Sequence, residues 1–198
     1  MEIIQMRFET SAAKASQFIN DEFPQVVITG KSNVGKSSLI NAIGNNGKLA
    51  RTSSTPGKTR LINYFFADNS FYVVDLPGYG FAKAPKTEQA QWQALMDSYF
   101  KSGRAKKALM LVDIRHKPTA EDKMMRDYLA YYDFEVVVVA TKADKIAKTK
   151  LKQYVEDIRK ELELPKEMLI IPYSSLNNYN RDYLVQIIRE FAAEPILV

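Results

Sequence analysis

The chain has no cysteine among its 198 residues, which excludes disulfides, thiolate zinc sites and a cysteine nucleophile. A reducing cytosol suits such a chain. No purely apolar run exceeds Val136–Ala140, far below the ~20 residues of a membrane helix. The start, MEIIQMRFETSAAK, has no apolar stretch behind a basic one, so no signal peptide is expected. Repeats, low-complexity tracts and Gly/Ser/Pro linkers are also missing. One domain over residues 1–198 is therefore expected, with residues 1–22 as an N-terminal extension packed on or beside it. The single histidine, His116, is a weak basis for catalysis and suits a packed or surface-bonding role.

Lys and Arg number 28 against 23 Asp and Glu, a net charge of +5. A mildly basic balance favours a polyanion as partner. The basic residues look scattered, however, so a solvated surface with a lysine excess is the plainer reading.

What is present is alternation. Short β-rich runs lie at Val26–Thr29, Leu61–Phe66, Phe71–Asp75, Ala108–Asp113, Val136–Ala140 and Leu169–Ile171. Between them, apolar residues recur at helical spacing: Trp92, Leu95, Met96, Tyr99 and Phe100; Met125, Tyr128, Leu129 and Tyr132; Leu151, Val155, Ile158 and Leu162; Leu184, Ile187, Ile188 and Phe191. These stripes read as core faces. The second and third β runs, separated by four residues, form a hairpin. The rest is β-α-β, which predicts an α/β fold: a mostly parallel six-stranded sheet with one antiparallel strand and helices on both faces.

Gly30-Lys31-Ser32-Asn33-Val34-Gly35-Lys36-Ser37 matches G-x-x-x-x-G-K-[ST] between a β run and a helix. Gly30 and Gly35 permit a tight turn and close backbone approach. Amide N–H groups and the helix N-terminus then face phosphates. Lys36 reaches the β- and γ-phosphates, and the Ser37 hydroxyl ligates Mg²⁺. A chance match in a chain of this length has a probability of roughly one per cent.

Later segments choose the nucleotide. Asp75-Leu76-Pro77-Gly78 ends a strand, where Asp75 can serve Mg²⁺ and the Gly78 amide the γ-phosphate. Thr141-Lys142-Ala143-Asp144 follows the Val136–Ala140 run, where a base-binding loop belongs. Its carboxylate can accept the N1–H and exocyclic amine of guanine, a donor pair that adenine lacks. Ser174-Ser175 after the next run can offer an amide to the guanine oxygen.

Together, GKSNVGKSSLINAI, LARTSSTPGKTRLINYF, DLPGYGFAK, DIRH, ATKADK and YSS resemble the EngB family within the TrmE–Era–EngA–EngB–septin group of GTPases. The resemblance implies a Ras-like fold, Mg²⁺-dependent binding of GTP and GDP, and slow GTP hydrolysis. It further implies a cytoplasmic, monomeric protein with a role in large ribosomal subunit assembly, its depletion disturbing cell division. Carried over, Ser37, Thr59 and Asp75 serve Mg²⁺; Gly57, Lys58, Thr59, Arg60 and Leu61 belong to switch I; Asp75–Gly78 form switch II. Thr141–Asp144 with Tyr173, Ser174 and Ser175 hold the base. Composition alone would not choose Thr59 among the hydroxyls of its loop. One departure is Asn177-Asn178-Tyr179-Asn180, where a basic, glycine-containing turn is expected; asparagine also tolerates positive φ.

The position that carries a water-orienting Gln in Ras-type enzymes is Tyr79, expected to pack against switch II. Turnover should be slow. Asn33 resembles a K⁺ ligand of related GTPases, so the catalytic set implied is Lys36, Thr59, Gly78 and Asn33. Exposed basics near Lys83, Lys86, Lys101, Arg104, Lys106 and Lys107 are compatible with rRNA contacts. The alternative is a GTP-binding module of the division machinery without a ribosomal partner. A nucleotide kinase would need an acceptor lid, for which the chain has no spare segment.

Overall fold

The computed structural model describes residues 2–50, 61–80 and 85–194. Seven strands form one sheet: β1 (Met6–Ala12), β2 (Gln25–Gly30), β3 (Ile62–Ala67), β4 (Phe71–Asp75), β5 (Lys107–Asp113), β6 (Glu135–Thr141) and β7 (Ile170–Pro172). Their spatial order is β1-β3-β4-β2-β5-β6-β7. Strands β4, β2, β5, β6 and β7 run parallel to one another. Strand β3 runs antiparallel to both of its neighbours, β1 and β4, the one reversed strand expected. The sheet carries one strand more than the six expected, because Met6–Ala12 of the N-terminal segment pairs with β3. This edge strand was illegible: its burial does not alternate, and its register shifts between Phe8 and Thr10, as at a bulge.

The hairpin between β3 and β4 closes as anticipated. Asp68 and Asn69 both take positive φ, 46° and 53°, and Ser70 N donates to Ala67 O at 3.0 Å. Two left-handed central residues make the turn whose twist matches paired strands.

Among the described residues five helices cover the sheet: α1 (Lys36–Ile43), α2 (Lys86–Lys101), α3 (Ala120–Tyr131), α4 (Leu151–Glu161) and α5 (Arg181–Ala193). The apolar stripes of α2, α3 and α4 bury Leu95, Met96, Tyr99, Phe100, Met125, Leu129 and Ile158 against one face. Helices α1 and α5 bury Leu39, Ile40, Leu184, Ile188 and Phe191 against the other. Strand β2 serves both, with Val27 on the first face and Val26 and Ile28 on the second. The alternation follows from the period-2 geometry of a strand. Burial on both faces also explains why β2 reads as a continuous apolar run. All parallel strands end at one rim, and the loops after them meet there.

Candidate functional site

The loop after β2 is the centre of that rim. Its turn requires left-handed residues: Asn33 has φ 65° and Gly35 φ 114°. Gly35 is the N-cap of α1, so the first amides of that helix point out of the loop. Gly30 answers to packing instead. A Cβ there would lie 2.8 Å from Val34 Cγ1 and 3.0 Å from Leu111 Cβ, too close to tolerate.

Neighbouring strands hold this loop in place. Thr141 Oγ1, at the end of β6, donates to Val34 O at 2.7 Å, with Val112 O at 3.1 Å. Lys142 Nζ donates to Asn33 O at 3.0 Å and to Asp113 Oδ2 at 2.8 Å. Arg115 grips the same carboxylate in a fork, Nε to Oδ1 at 2.9 Å and Nη2 to Oδ2 at 2.8 Å. Burial alone would raise the Asp113 carboxyl, but the Arg115 and Lys142 hydrogen bonds outweigh it and hold it well below the usual carboxylate range.

Asp75 ends β4 beside the loop. It is buried, with Oδ1 3.5 Å from Lys36 Nζ and accepting no hydrogen bond among the described residues. Asn63 Nδ2 approaches Asp75 Oδ2 at 3.5 Å, and Asn63 Oδ1 accepts from Ser11 Oγ at 2.7 Å. A buried carboxylate oxygen without a hydrogen bond calls for a cation. With the Ser37 hydroxyl one residue beyond Lys36, this donor set fits a hard ion such as Mg²⁺. Gly57, Lys58, Thr59 and Arg60 lie outside the described residues, as does Lys83; Leu61 precedes β3.

Beyond Asp75, Leu76 N donates to Ile28 O at 3.0 Å and Ser32 N to Tyr79 O at 2.9 Å. These main-chain bonds tie Leu76–Tyr79, with Gly78 inside the span, to the phosphate loop. Trp92 Nε1 donates to Pro77 O at 3.2 Å. Tyr79 does more than pack against its own loop. Its side chain is 2% exposed, and its hydroxyl donates to Asp122 Oδ1 at 2.8 Å. Burial and then the Asp122 carboxylate push the phenol far above its ordinary value. Asp122 Oδ2 accepts from Thr119 N at 2.7 Å and Thr119 Oγ1 at 2.9 Å, a capping box at the start of α3. Tyr79 thus points into the protein. The Asp122 partner was missed, although Thr119-x-x-Asp122 carries a capping signal.

The Thr141–Asp144 loop, expected to hold the base, follows β6. Lys142 takes φ 62°, and Ala143–Lys145 form a single 3-10 turn. Ala143 N donates to Tyr173 O at 3.0 Å and Tyr173 N to Ala140 O at 2.8 Å, binding this loop to β7. Asp144 Oδ1 accepts from Ser174 Oγ at 2.6 Å, while Oδ2 lies 3.2 Å from Lys145 Nζ. The Ser174 hydroxyl, and after it Lys145, hold the Asp144 carboxyl below its ordinary value. Ser175 is exposed. Asn178 and Asn180 adopt φ 56° and 59°, so asparagine supplies the backbone expected of glycine in this turn. Asn180 Nδ2 also donates to Pro172 O at 2.8 Å. The structure brings together the described parts of all three motifs.

His116 is exposed on the loop after β5. The basic surface expected near Arg104–Lys107 needs correction. These residues lie at or before the start of β5, at the end of the sheet opposite the nucleotide rim, and they are half-buried and engaged. Arg104 Nη1 donates to Asp21 O at 2.8 Å and Lys106 Nζ to Tyr132 O at 2.8 Å. Lys107 pairs with Glu135 and Glu194. Sequence proximity suggested a patch; strand direction turned it towards internal partners.

Comparison with known proteins fits this geometry. A family model described as "50S ribosome-binding GTPase" matches residues 25–142. The probable GTP-binding protein EngB of Clostridium perfringens (strain SM101 / Type A) is 45% identical over 197 residues, covering 99% of this chain and 100% of the relative. That of Heliobacterium modesticaldum is 42% identical over 192 residues, 96% and 94% of the two chains. A crystal structure of a probable GTP-binding protein engB superposes with TM-score 0.70 at 25% identity, covering 86% of this chain and all of the other. Era in complex with MgGDPNP and nucleotides 1506-1542 of 16S ribosomal RNA gives TM-score 0.66 at 26% identity, over 89% and 59%. Among the described residues no helix is long and apolar enough to cross a membrane. With its fold, phosphate loop and full-length likeness in agreement, the chain belongs to the EngB family of GTP-binding proteins, GTPases that convert GTP to GDP and phosphate.

Proposed function

We propose that this GTPase is a nucleotide-dependent switch in assembly of the large ribosomal subunit, acting as a cytoplasmic monomer and needed for normal division and septation. The observation that carries the switch is the main-chain link between Ser32 and Tyr79. This link gives a change of phosphate at the loop a direct route to the Leu76–Tyr79 turn that contains Gly78. Support for the partner comes from the matching family's description as a 50S ribosome-binding GTPase.

In this reading Gly30–Ser37 cradle the phosphates, with the amides that open α1, those of Lys36 and Ser37, as donors. Lys36 exchanges its contact with Asp75 for the β- and γ-phosphates. Ser37, Asp75 and Thr59 hold Mg²⁺, which neutralises charge on the phosphates when bound. Switch I, residues 57–61, and the Gly78 amide respond to the γ-phosphate, with Leu76 and Pro77 carrying the turn. Asp144 reads the guanine N1–H and amine, and the Tyr173–Ser175 segment supplies an amide to its oxygen. Thr141, Lys142 and Ala143 position that loop through the bonds described above.

Hydrolysis requires water to attack the γ-phosphorus while the bond to the β-phosphate oxygen breaks. Tyr79, committed to Asp122, orients no water, so intrinsic turnover is slow. The Asn33 side chain makes no hydrogen bond among the described residues and is exposed. It suits a K⁺ ligand, and hydrolysis should be faster in K⁺ than in Na⁺.

Co-sedimentation with purified large subunits, in GTP, GDP or no nucleotide across a salt series, tests the switch. Tighter binding in GTP is expected. Equal binding in all three states overturns it and leaves the division-module reading ahead.

A further inference from the structure

Residues 113–123 carry three basic residues against three carboxylates, and residues 142–152 carry five lysines against one carboxylate, an excess of four in a chain whose net charge is +5. The first segment begins at the last residue of β5 and the second just after β6, so the fold sets them side by side on the nucleotide rim. In the sequence the two segments are about twenty residues apart.

The four carboxylates in these segments are already engaged. Asp113 is held by Arg115 and Lys142, Glu121 lies 3.6 Å from Lys31 Nζ, Asp122 serves Tyr79 and Thr119, and Asp144 serves Ser174 and Lys145. Lys148 and Lys150, by contrast, are exposed and have no carboxylate within ion-pair distance among the described residues. Lys117 is exposed too, with only a longer-range attraction to Glu161, which Lys123 already pairs. Between the phosphate loop and the loop after β5 opens a cavity of about 330 Å³, walled in part by Lys31, Asn33, Arg115, His116, Lys117 and Lys142. Lys117 on the wall of this cavity, with exposed Lys148 and Lys150 after the neighbouring strand, suits a chain of phosphates, which releases counterions on binding.

We propose that the loops after β5 and β6 form the surface that binds the phosphodiester backbone of ribosomal RNA, with Lys117, Lys148 and Lys150 as its outer contacts. The proposal rests on the ribosomal reading above and gives it a place on the molecule. The surface adjoins the base loop through Lys145 and Asp144 and the phosphate loop through Lys142 and Asn33. A bound RNA therefore sits against the nucleotide site and away from the start of β5.

The test compares two variants of equal charge change, Lys148→Glu/Lys150→Glu on the rim and Lys101→Glu/Lys166→Glu at the other end of the sheet. Each is titrated against purified large subunits and against protein-free 23S rRNA over a salt series, with GTP affinity as the check on folding. The rim variant should lose about tenfold or more in affinity for both probes, its log–log salt slope falling by about two. The control should stay within about threefold of the parent. Equal losses in the two variants, or none in either, overturn the surface. If the parent binds subunits indifferently to the rim substitution, an RNA contact there is refuted while the ribosomal reading stands. Rim-dependent binding of free rRNA without subunit binding supports the surface and refutes the ribosomal reading. Binding to neither probe refutes both.

Discussion

The two ends of the sheet are both rich in lysine and arginine, and they use the charge in opposite ways. At the start of β5, Lys107 sits between Glu135 and Glu194, and Arg104 and Lys106 are bonded to main-chain carbonyls. These three basic residues are engaged internally. At the other end the loops after parallel strands converge without crossing back, so their polar groups face one another around an opening. There Asp75 Oδ1 lacks a hydrogen bond, and Lys148 and Lys150 lack carboxylate partners. Groups left without a hydrogen bond or a carboxylate partner, at a rim otherwise held tightly, suit completion by a ligand.

The sharpest break of this contrast is Lys36→Ala, which removes the one cation facing Asp75 inside the phosphate loop. GTP affinity should fall by about 2–5 kcal/mol, as when one member of a desolvated charged contact is lost. Isothermal titration checks it, and binding within a few-fold of the parent would contradict the phosphate-loop assignment. Asp144→Asn comes next. An amide donates where the carboxylate only accepted, and charged hydrogen bonds are worth about 1.5–3 kcal/mol each. Competition binding should show GTP weakened by about a hundredfold and xanthosine triphosphate gaining in preference.

Tyr79→Phe probes the inward side of the rim. Removing the hydroxyl leaves Asp122 Oδ1 without its partner, and urea unfolding should show a loss of about 1–3 kcal/mol. GTP turnover under folded conditions should be unchanged; a fall in kcat at full stability would place Tyr79 in the chemistry after all.

A smaller effect is expected from Asp113→Asn. The folded state holds this carboxyl below its unfolded value of about 3.9. Its contribution to stability is therefore present above that value and lost progressively as pH falls from there through the lower folded-state value. Thermal melts between about pH 5 and pH 2 should show a shallower acid limb in the variant. Lys107→Ala should matter least. Its partners are largely exposed, and such pairs contribute about 0–1 kcal/mol, so melting should shift little and rRNA affinity not at all.

Much of this was visible in order along the chain. Phe71–Asp75 was bounded correctly from its apolar run, and the other expected strands were off by one residue at an end or two. Buried strands and amphipathic helices carry their periodicity in every residue, so local pattern suffices. β1 was missed because an edge strand buries too little to need a pattern: of Met6–Ala12 only Ala12 is buried. The Ser11–Asn63–Asp75 and Tyr79–Asp122 contacts were also unreadable, since each joins residues from separate strands, loops or helices.

The sequence by itself determined the α/β class, the G-x-x-x-x-G-K-S loop between strand and helix, and the hairpin, because each depends on residues close together or on a repeating period. Tertiary structure alone decided which charges remain available. An ion pair is formed by proximity in space, and strand direction places Lys107 beside Glu135 while it carries Lys148 and Lys150 to the opposite rim.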